Sequence, residues 1–191
     1  MQQLENDTQP TVILVSGMPA SGKSTLAEQL AAALGMPCFT KDGIKELLYD
    51  AEEVPSGELD EETSERLGAQ AITVLYYIAQ RCLDAGGSVV LEANFRSELA
   101  RTQIEPFRSQ ATVLQVACQL PMEKIVERFE ERQEGDKRHP VHTEVDDVDQ
   151  LVEDLVAKDY SPIRGIPTLL VDTSEGLDPP LAEIVRFCRE G

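Results

Sequence analysis

Hydrophobic and polar positions follow two alternating patterns along the chain. Between short apolar runs, hydrophobic residues recur every three or four positions, as in Leu67, Ala71, Val74 and Ile78, which predicts amphipathic helices. The short runs are rich in β-branched residues, typical of strands buried on both faces, and they occupy positions 11–16, 37–40, 88–93, 111–118 and 168–172. The sequence therefore predicts strands that alternate with helices.

A parallel sheet follows from this alternation, because parallel strands need crossover connections such as helices. We expect an α/β fold in which helices cover both faces of the sheet. A stretch rich in proline, glycine and acidic residues, at 51–62, fits neither pattern and is predicted to be a loop. The length of 191 residues suits one domain, residues 1–191, whose first ten residues we expect to be flexible. The predicted helices cover positions of about 23–34, 41–50, 63–85, 97–109, 121–134, 145–158 and 179–189.

A glycine-rich loop follows the first predicted strand, in the stretch VILVSGMPASGKSTLAEQL at positions 12–30. Gly17, Gly22, Lys23 and Ser24 fit the pattern G-x-x-x-x-G-K-[ST], with a strand before it and a helix after it. The backbone N–H groups of such a loop bind phosphate, the lysine adds a positive charge, and the serine hydroxyl is a ligand for Mg²⁺. We therefore predict a P-loop that binds ATP and Mg²⁺, with the cofactor-binding candidates Gly17, Met18, Pro19, Ala20, Ser21, Gly22, Lys23, Ser24 and Thr25.

Polar residues follow the next two predicted strands, where ligands of parallel α/β sheets bind. Asp42 comes just after the second strand and is a candidate for orienting an acceptor hydroxyl and taking its proton, although an aspartate at this position could equally cap the next helix. Glu92 ends the third strand, as a Walker B-type acid does, and is a candidate metal ligand together with Ser24. Glu92, Asn94 and Arg96 form a polar cluster that we expect to contact the substrate.

The charge of the chain narrows the choice of partners. It contains 17 Lys and Arg against 35 Asp and Glu, a formal net charge of −18, which disfavours nucleic acid and anionic membranes. Arg128 and Arg132 share a helix face, which fits either an anion site or a surface helix held by ion pairs with neighbouring glutamates. They belong to a cluster of five basic residues within fifteen positions: Lys124, Arg128, Arg132, Lys137 and Arg138.

The cysteines, the histidines and the N-terminal residues give expectations about the redox compartment, metal binding and membrane contact. The four cysteines form no C-x-x-C pair, which is typical of free thiols in a reducing compartment. His139 and His142 have no acid or cysteine at a spacing that would complete a ligand set, so they predict no metal site. The N-terminal residues lack the pattern of a secretion signal, and no apolar run approaches the roughly 20 residues of a membrane span. We therefore expect a cytoplasmic protein without membrane contact.

Several segments together resemble one protein family. They are GMPASGKSTLA, TKDGIKELL, VVLEANFR, the arginine-bearing helix that leads into DKRHPVH, and LLVDTS. They are similar to the P-loop kinases of the adenylate-kinase-like group, in particular to the branch of small-molecule and polynucleotide kinases that includes chloramphenicol phosphotransferase and zeta-toxin kinases. The resemblance implies a three-layer P-loop NTPase fold with a five-stranded parallel sheet, a short lid at about 133–143, and transfer of the γ-phosphoryl group of ATP to a hydroxyl.

The resemblance also implies roles for individual residues. Asp42 matches the acceptor-binding carboxylate and proposed base of the family, and Arg128 and Arg132 match phosphate clamps on the helix before the lid. With Lys23, these three are the catalytic candidates. The resemblance places Arg138 in the lid, Asp172 and Thr173 beside the adenine ring, and Lys45 where many relatives have an acceptor-binding arginine in a D-x-x-R arrangement.

The sequence as a whole predicts an ATP-dependent kinase, a phosphotransferase with an alcohol group as acceptor. We expect a small-molecule acceptor. The segment 43–75 should set the specificity, and because it is acidic it favours a cationic or polyhydroxylated acceptor. We expect the protein to be a monomer or a homodimer. One alternative is a polynucleotide 5′-hydroxyl kinase-like enzyme, which Lys45 argues against because an ammonium cannot make the flat bidentate grip of a guanidinium. The other alternative is a nucleotide-binding regulatory ATPase without acceptor kinase activity.

Overall fold

The computed structural model describes residues 9–52, 59–134, 139–142 and 148–191 of the chain. Within these ranges the chain forms five strands, seven α-helices and one short 3₁₀-helix, Glu105–Ser109. The strands are β1 (Thr11–Ser16), β2 (Cys38–Thr40), β3 (Val89–Glu92), β4 (Thr112–Gln119) and β5 (Thr168–Asp172). The helices are α1 (Lys23–Leu34), α2 (Lys41–Ala51), α3 (Glu61–Asp84), α4 (Ser97–Ile104), α5 (Met122–Glu134), α6 (Val148–Ala157) and α7 (Leu181–Glu190).

All five strands form one parallel sheet in the order β2-β3-β1-β4-β5. The predicted five-stranded parallel sheet is therefore confirmed. The central strand β1 lies between β3 and β4, with Val15 opposite Glu92 on one side and Val116 on the other. Strand β5 is an edge, and among the described residues its outer side pairs only through an antiparallel bridge between Asp172 and Asp178.

Helices cover both faces of the sheet, as the uninterrupted apolar pattern of the strands requires. Val12 and Leu14 of β1 face a buried cluster that includes residues of α3 and α4, such as Leu75 and Ile104. Ile13 and Val15 face a second cluster that includes residues of α1 and α7. All four of these β1 side chains are fully buried, so the loop after β1 begins from a fixed base.

Some helix boundaries differ from those that the pattern predicts; a helix cap explains one difference and a proline explains another. Helix α3 begins at Glu61 and not at Thr63, because the side chain of Asp60 accepts a hydrogen bond of 2.7 Å from the backbone N–H of Thr63. The predicted helix at 97–109 divides into α4 and the 3₁₀-helix, and Pro106 lies at its start, where a proline lacks the N–H that an α-helix would use. Helix α6 is described from Val148 to Ala157, and the first positions of the predicted helix, 145–147, lie outside the described residues.

Candidate functional site

The glycine loop connects β1 to α1 through a backbone that only glycine fits at its first position. Gly17 has a φ of 146°, and a Cβ added there would lie 2.6 Å from Oγ of Ser21 and 2.7 Å from the carbonyl oxygen of Cys118. Gly22 has a φ of 77° and precedes Lys23, the first residue of α1. The free N–H groups of the first turn of α1 therefore face the loop, where they favour an anion.

Lys23, the predicted phosphate ligand, and Ser24, a predicted metal ligand, both contact Glu92 at the end of β3. The ammonium of Lys23 donates to the carbonyl oxygen of Met18 at 3.3 Å and lies 3.7 Å from Oε1 of Glu92. The hydroxyl of Ser24 donates to Oε2 of the same carboxylate at 3.2 Å. Burial raises the pKa of Glu92, and the positive charge of Lys23 and the hydrogen bond from Ser24 only partly oppose this shift. The loop is thus joined to a buried carboxyl group in the crevice.

Asp42 lies in the first turn of α2 and lines the same small cavity as Lys23 and Ser24, with a volume of about 70 Å³. The alternative that Asp42 caps this helix is wrong, because the cap is Thr40, whose hydroxyl accepts a hydrogen bond from the backbone N–H of Gly43 at 3.1 Å. The Asp42 side chain is 45% exposed. Its carboxylate is therefore available to a ligand of the cavity.

Positive charges surround Asp42 on several sides. The ammonium of Lys41 lies 3.6 Å from its Oδ1. Burial alone would raise the pKa of Asp42, but the summed charges of Lys41, Lys23, His142 and Lys45 lower it overall. Asp42 is thus held in its ionised form, the form in which a carboxylate can accept a proton.

The two other residues of the predicted polar cluster lie at different places. Asn94 lines the small cavity with Asp42, and its buried Oδ1 has no hydrogen-bond partner within the described part of the chain. Arg96 is exposed and precedes α4. Asn94 can therefore accept a hydrogen bond from a ligand in the small cavity, whereas Arg96 is not among the residues that line this cavity.

Lys45 does not reach the small cavity. Its ammonium is buried between helices and donates to Oγ of Ser64 at 2.7 Å and to the carbonyl oxygen of Val141 at 3.2 Å. Lys45 is not among the residues that line the cavity of Asp42. The structure thus places Lys45 in a buried contact between segments, and its predicted contact with the acceptor stays a prediction.

Arg128 lies between α5 and the end of β5. Its guanidinium donates to the carbonyl oxygens of Thr173 and Ser174, and a Cβ on Gly22 would lie 3.7 Å from its Nη1. Lys124 of the same helix makes a surface ion pair of the kind considered for Arg128, with its ammonium 2.7 Å from Glu127. Arg128 is therefore beside the glycine loop, on the side of the predicted adenine segment.

That predicted adenine segment is tied directly to the loop. The hydroxyl of Thr173 donates to the carbonyl oxygen of Ser21 at 2.8 Å, and the carboxylate of Asp172 accepts from the backbone N–H of Ser174 at 2.7 Å. This hydrogen bond lowers the pKa of Asp172. The side chain of Arg132 and all of Arg138 lie outside the described residues, so their predicted roles stay predictions.

A larger cavity of about 810 Å³ borders the glycine loop at Met18 and Ser21, and sequence reasoning did not find it. It opens at the carboxyl ends of β4 and β5, and none of its lining residues belongs to the segment 43–75 that we expected to set specificity. The sequence signal for this cavity would have been the apolar positions of α5 and α6 that line it, but only the fold brings these two helices together. Its wall combines apolar and polar side chains in nearly equal measure: the apolar members are Met18, Cys118, Leu120, Pro121, Ile125, Leu155, Val156, Ala157 and Pro162, and the polar members are Ser21, Gln119, Lys158, Asp159, Tyr160, Ser161 and Asp172.

The larger cavity also has a titratable rim. Burial raises the pKa of Tyr160, while the positive charge of Arg96 acts on it in the opposite direction. Arg96 therefore lies close enough to influence the rim of the larger cavity. The described ranges contain no group of three or more metal-ligating side chains, and none of their helices is long and apolar enough to cross a membrane.

Comparison with known proteins gives both a family and related folds. A protein-family model described as an AAA domain, AAA_33, matches residues 12–153. A crystal structure from Chloroflexus aurantiacus, whose assignment as a kinase is provisional, is 33% identical, covers 96% of this chain and 98% of that chain, and has a TM-score of 0.83.

More distant structures share the fold alone. Kti12 of Chaetomium thermophilum, in complex with ADP-AlF3, is 22% identical, with coverage of 95% and 98% and a TM-score of 0.66. A gluconokinase of Sinorhizobium meliloti is 22% identical, with coverage of 94% and 89% and a TM-score of 0.55. No curated protein matches the sequence significantly.

Proposed function

Given that the chain belongs to the AAA_33 family of AAA domains, we propose that it transfers the γ-phosphoryl group of ATP to a hydroxyl of a small-molecule acceptor. The resemblance to P-loop kinases of the adenylate-kinase-like group is confirmed. One observation carries the proposal: Asp42 and Asn94 line the same small cavity as Lys23 and Ser24 of the glycine loop. A proton acceptor thus faces the groups that would hold the phosphates.

The nucleotide side of the proposal rests on the loop and its neighbours. The N–H groups at the start of α1 and the ammonium of Lys23 would hold the phosphates. Arg128 and Thr173 would lie toward the adenine ring of the nucleotide. Ser24 and Glu92 fit Mg²⁺, because a hydroxyl and a carboxylate already meet at 3.2 Å, and Mg²⁺ takes its other ligands from phosphates and water. Mg²⁺ would neutralise charge on the phosphates.

In the chemical step, Asp42 acts as the proton acceptor. The carboxylate of Asp42 takes the proton of the acceptor hydroxyl while the hydroxyl oxygen forms a bond to the γ-phosphorus. The bond between that phosphorus and the bridging oxygen breaks, and ADP leaves with the electron pair. Asn94 Oδ1, which lacks a partner within the described residues, would accept a hydrogen bond from a second polar group of the acceptor.

A small molecule is favoured as the acceptor because the cavity that Asp42 and Asn94 line is small, with a volume of about 70 Å³. The larger cavity, of about 810 Å³, falls in the usual range of small-molecule sites, but its wall includes Asp172, the predicted neighbour of the adenine ring, and neither Asp42 nor Asn94. The larger cavity would therefore lie on the nucleotide side of the site. A polynucleotide is disfavoured both by the net charge of −18 and by the burial of Lys45 away from the cavity of Asp42.

The test is a screen for acceptor-dependent ADP release, followed by one matched pair of variants. The panel contains aromatic and aliphatic alcohols, sugars and sugar acids, nucleosides, aminoglycosides and 5′-hydroxyl oligonucleotides. We expect Asp42→Asn to lower phosphorylation of the best acceptor by about 10²–10⁴-fold, and Asp60→Asn, an exposed helix cap that asparagine replaces well, to leave it near the wild-type rate.

Each other outcome points to a different function. ATP hydrolysis that no alcohol accelerates would indicate the regulatory ATPase, and phosphorylation of oligonucleotides alone would indicate the polynucleotide kinase. An Asp42→Asn variant that phosphorylates its acceptor at the normal rate would exclude Asp42 as the base while leaving the kinase activity established.

A further inference from the structure

Residues 139–142, which we call the docking segment, lie against helix α2. Val141 is fully buried and packs with Tyr49 of α2 and Leu67 of α3. The carbonyl oxygen of Val141 accepts a hydrogen bond from the ammonium of Lys45, which also donates to Ser64 of α3. One buried ammonium thus joins α2, α3 and the docking segment.

Two histidines flank this contact and bind carboxylates of α2. Nε2 of His142 lies 2.7 Å from Oε1 of Glu46, and Nε2 of His139 lies 3.2 Å from Oδ1 of Asp50. Glu46 and Asp50 are four residues apart and therefore on one face of α2. The ring of His139 also packs edge-on against Tyr49, with centroids 5.3 Å apart. The docking segment is therefore held along a stripe of α2 by side chains at both of its ends.

Asp42 lies at the start of the same stripe, four residues before Glu46. Its charged neighbours come from every element around it: Lys41 and Lys45 from α2, Lys23 from α1, His142 from the docking segment, and Glu92 from β3. His142 itself faces Glu46, Asp42 and His139. Two of the groups that lower the pKa of Asp42, Lys45 and His142, are thus the same groups that fasten the docking segment.

We propose that Lys45 and His142 are positioning residues which fasten the docking segment onto α2 and thereby hold the carboxylate of Asp42 ready for the acceptor hydroxyl. This inference rests on the proposed function, since it gives Asp42 the role of base. Lys45 and His142 act through Asp42 and do not touch the acceptor. The docking segment is therefore part of the acceptor side of the site, although it lies about 100 positions after α2.

The charge arrangement gives a readout that a purely structural role would not move. Lys45 and His142 each help to lower the pKa of Asp42, so replacement of either side chain by an uncharged one should raise it. The acid limb of kcat/KM, which reports the ionisation of an essential base in the free enzyme, should then move to higher pH. Loss of packing alone would lower stability but leave this limb in place.

The experiment compares Lys45→Met and His142→Gln with Lys124→Met, which removes an exposed lysine of α5 that pairs with Glu127. The pKa of Asp42 is measured by carbon NMR of its carboxyl group, with no nucleotide present, and the acid limb is measured with the best acceptor of the screen. We expect both test variants to raise the pKa of Asp42 and to lower kcat by about 10- to 100-fold, the cost of a misplaced catalytic group. Lys124→Met should change neither quantity.

The outcomes separate this inference from the proposed function. If Asp42 keeps its wild-type pKa in both test variants, the inference is overturned, whatever the activity. If the pKa rises but wild-type protein phosphorylates no acceptor, the arrangement around Asp42 stands and the proposed function fails. His142→Gln keeps a hydrogen-bond donor for Glu46 at a partly exposed position, so it provides the test even if Lys45→Met does not fold.

Discussion

The glycine loop and the docking segment are two parts of one candidate site that are built in opposite ways. The loop is fixed by backbone contacts over short distances, such as the hydrogen bond of 3.2 Å from the backbone N–H of Ser21 to the carbonyl oxygen of Met18, three positions earlier. The docking segment is held by side chains that join residues far apart, such as Lys45 and Val141, which are separated by 96 positions. A site built locally leaves a motif in the sequence, whereas a site built by distant side chains leaves scattered polar residues.

Within the glycine loop, the largest expected effect concerns its lysine. Lys23→Met should lower ATP turnover by about 10²–10³-fold, comparable to the loss of one preorganised donor to a transition state. Nucleotide binding is measured by calorimetry with a non-hydrolysable ATP analogue, and folding by circular dichroism. Lys124→Met serves as the control and should behave like the wild type. Unchanged affinity and turnover in Lys23→Met would remove the loop from the mechanism and erase the contrast between the two regions.

A second prediction tests whether the loop is fixed by its backbone. Gly17→Ala should destabilise the fold by roughly 2–4 kcal/mol, because the added Cβ meets a backbone carbonyl at 2.7 Å in a conformation that strains any other residue. Chemical denaturation measures the change in the free energy of unfolding. A variant of wild-type stability would mean that the loop tolerates rearrangement, and the site would then be less rigid than its geometry indicates.

Arg128 should show an intermediate effect. Arg128→Ala removes the donor to two carbonyl oxygens and should cost about 1–3 kcal/mol, which corresponds to an increase of about 5- to 150-fold in the KM for ATP. Lysine should restore little, because a single ammonium does not reproduce the planar guanidinium. Arg186→Ala, which alters an exposed pair on α7, is the control for steady-state kinetics. Equal KM values for the two variants would mean that Arg128 does not contribute to ATP binding.

The smallest effect is expected at a glycine of the acceptor side. Gly68 lies inside α3, and a Cβ there would be 3.8 Å from the end of the Lys41 side chain, an ordinary contact. Gly68→Ala should therefore raise the free energy of unfolding by roughly 0.5–1 kcal/mol. Gly86→Ala, where φ is 74°, should lower it instead. A loss of stability in Gly68→Ala would show that α2 and α3 pack more tightly than the structure indicates.

The same contrast explains how much could be predicted from the sequence. Strand β1, the glycine loop and α1 follow from local pattern, because consecutive residues set both the buried strand and the phosphate-binding turn. The cap of α2 was harder to predict, since Thr40 and Asp42 are both good capping residues and only the fold decides between them. The burial of Lys45 could not be predicted, because its partners lie on α3 and on the docking segment.

Family resemblance supplied what the local pattern did not, but only in part. It pointed to Asp42 as a base and to the segment at Thr173 as the side of the adenine. It gave no account of His139 and His142, which spacing alone excluded as a metal site and which instead bind carboxylates of α2. Side-chain pairs that form across nearly 100 positions depend on the packing of the whole sheet, so no local window of sequence contains them.

The open edge of the sheet bears on how copies of the protein behave together in solution. Strand β5 carries Leu170, which is 48% exposed, and within the described residues its outer side is occupied only where Asp172 meets Asp178. An edge with free backbone groups can add a strand from another molecule. Here the negative charge of every copy opposes such an encounter, and that protection weakens as acid protonates the carboxylates or as salt screens them. Colloidal stability should therefore depend on pH and ionic strength before the fold itself is affected.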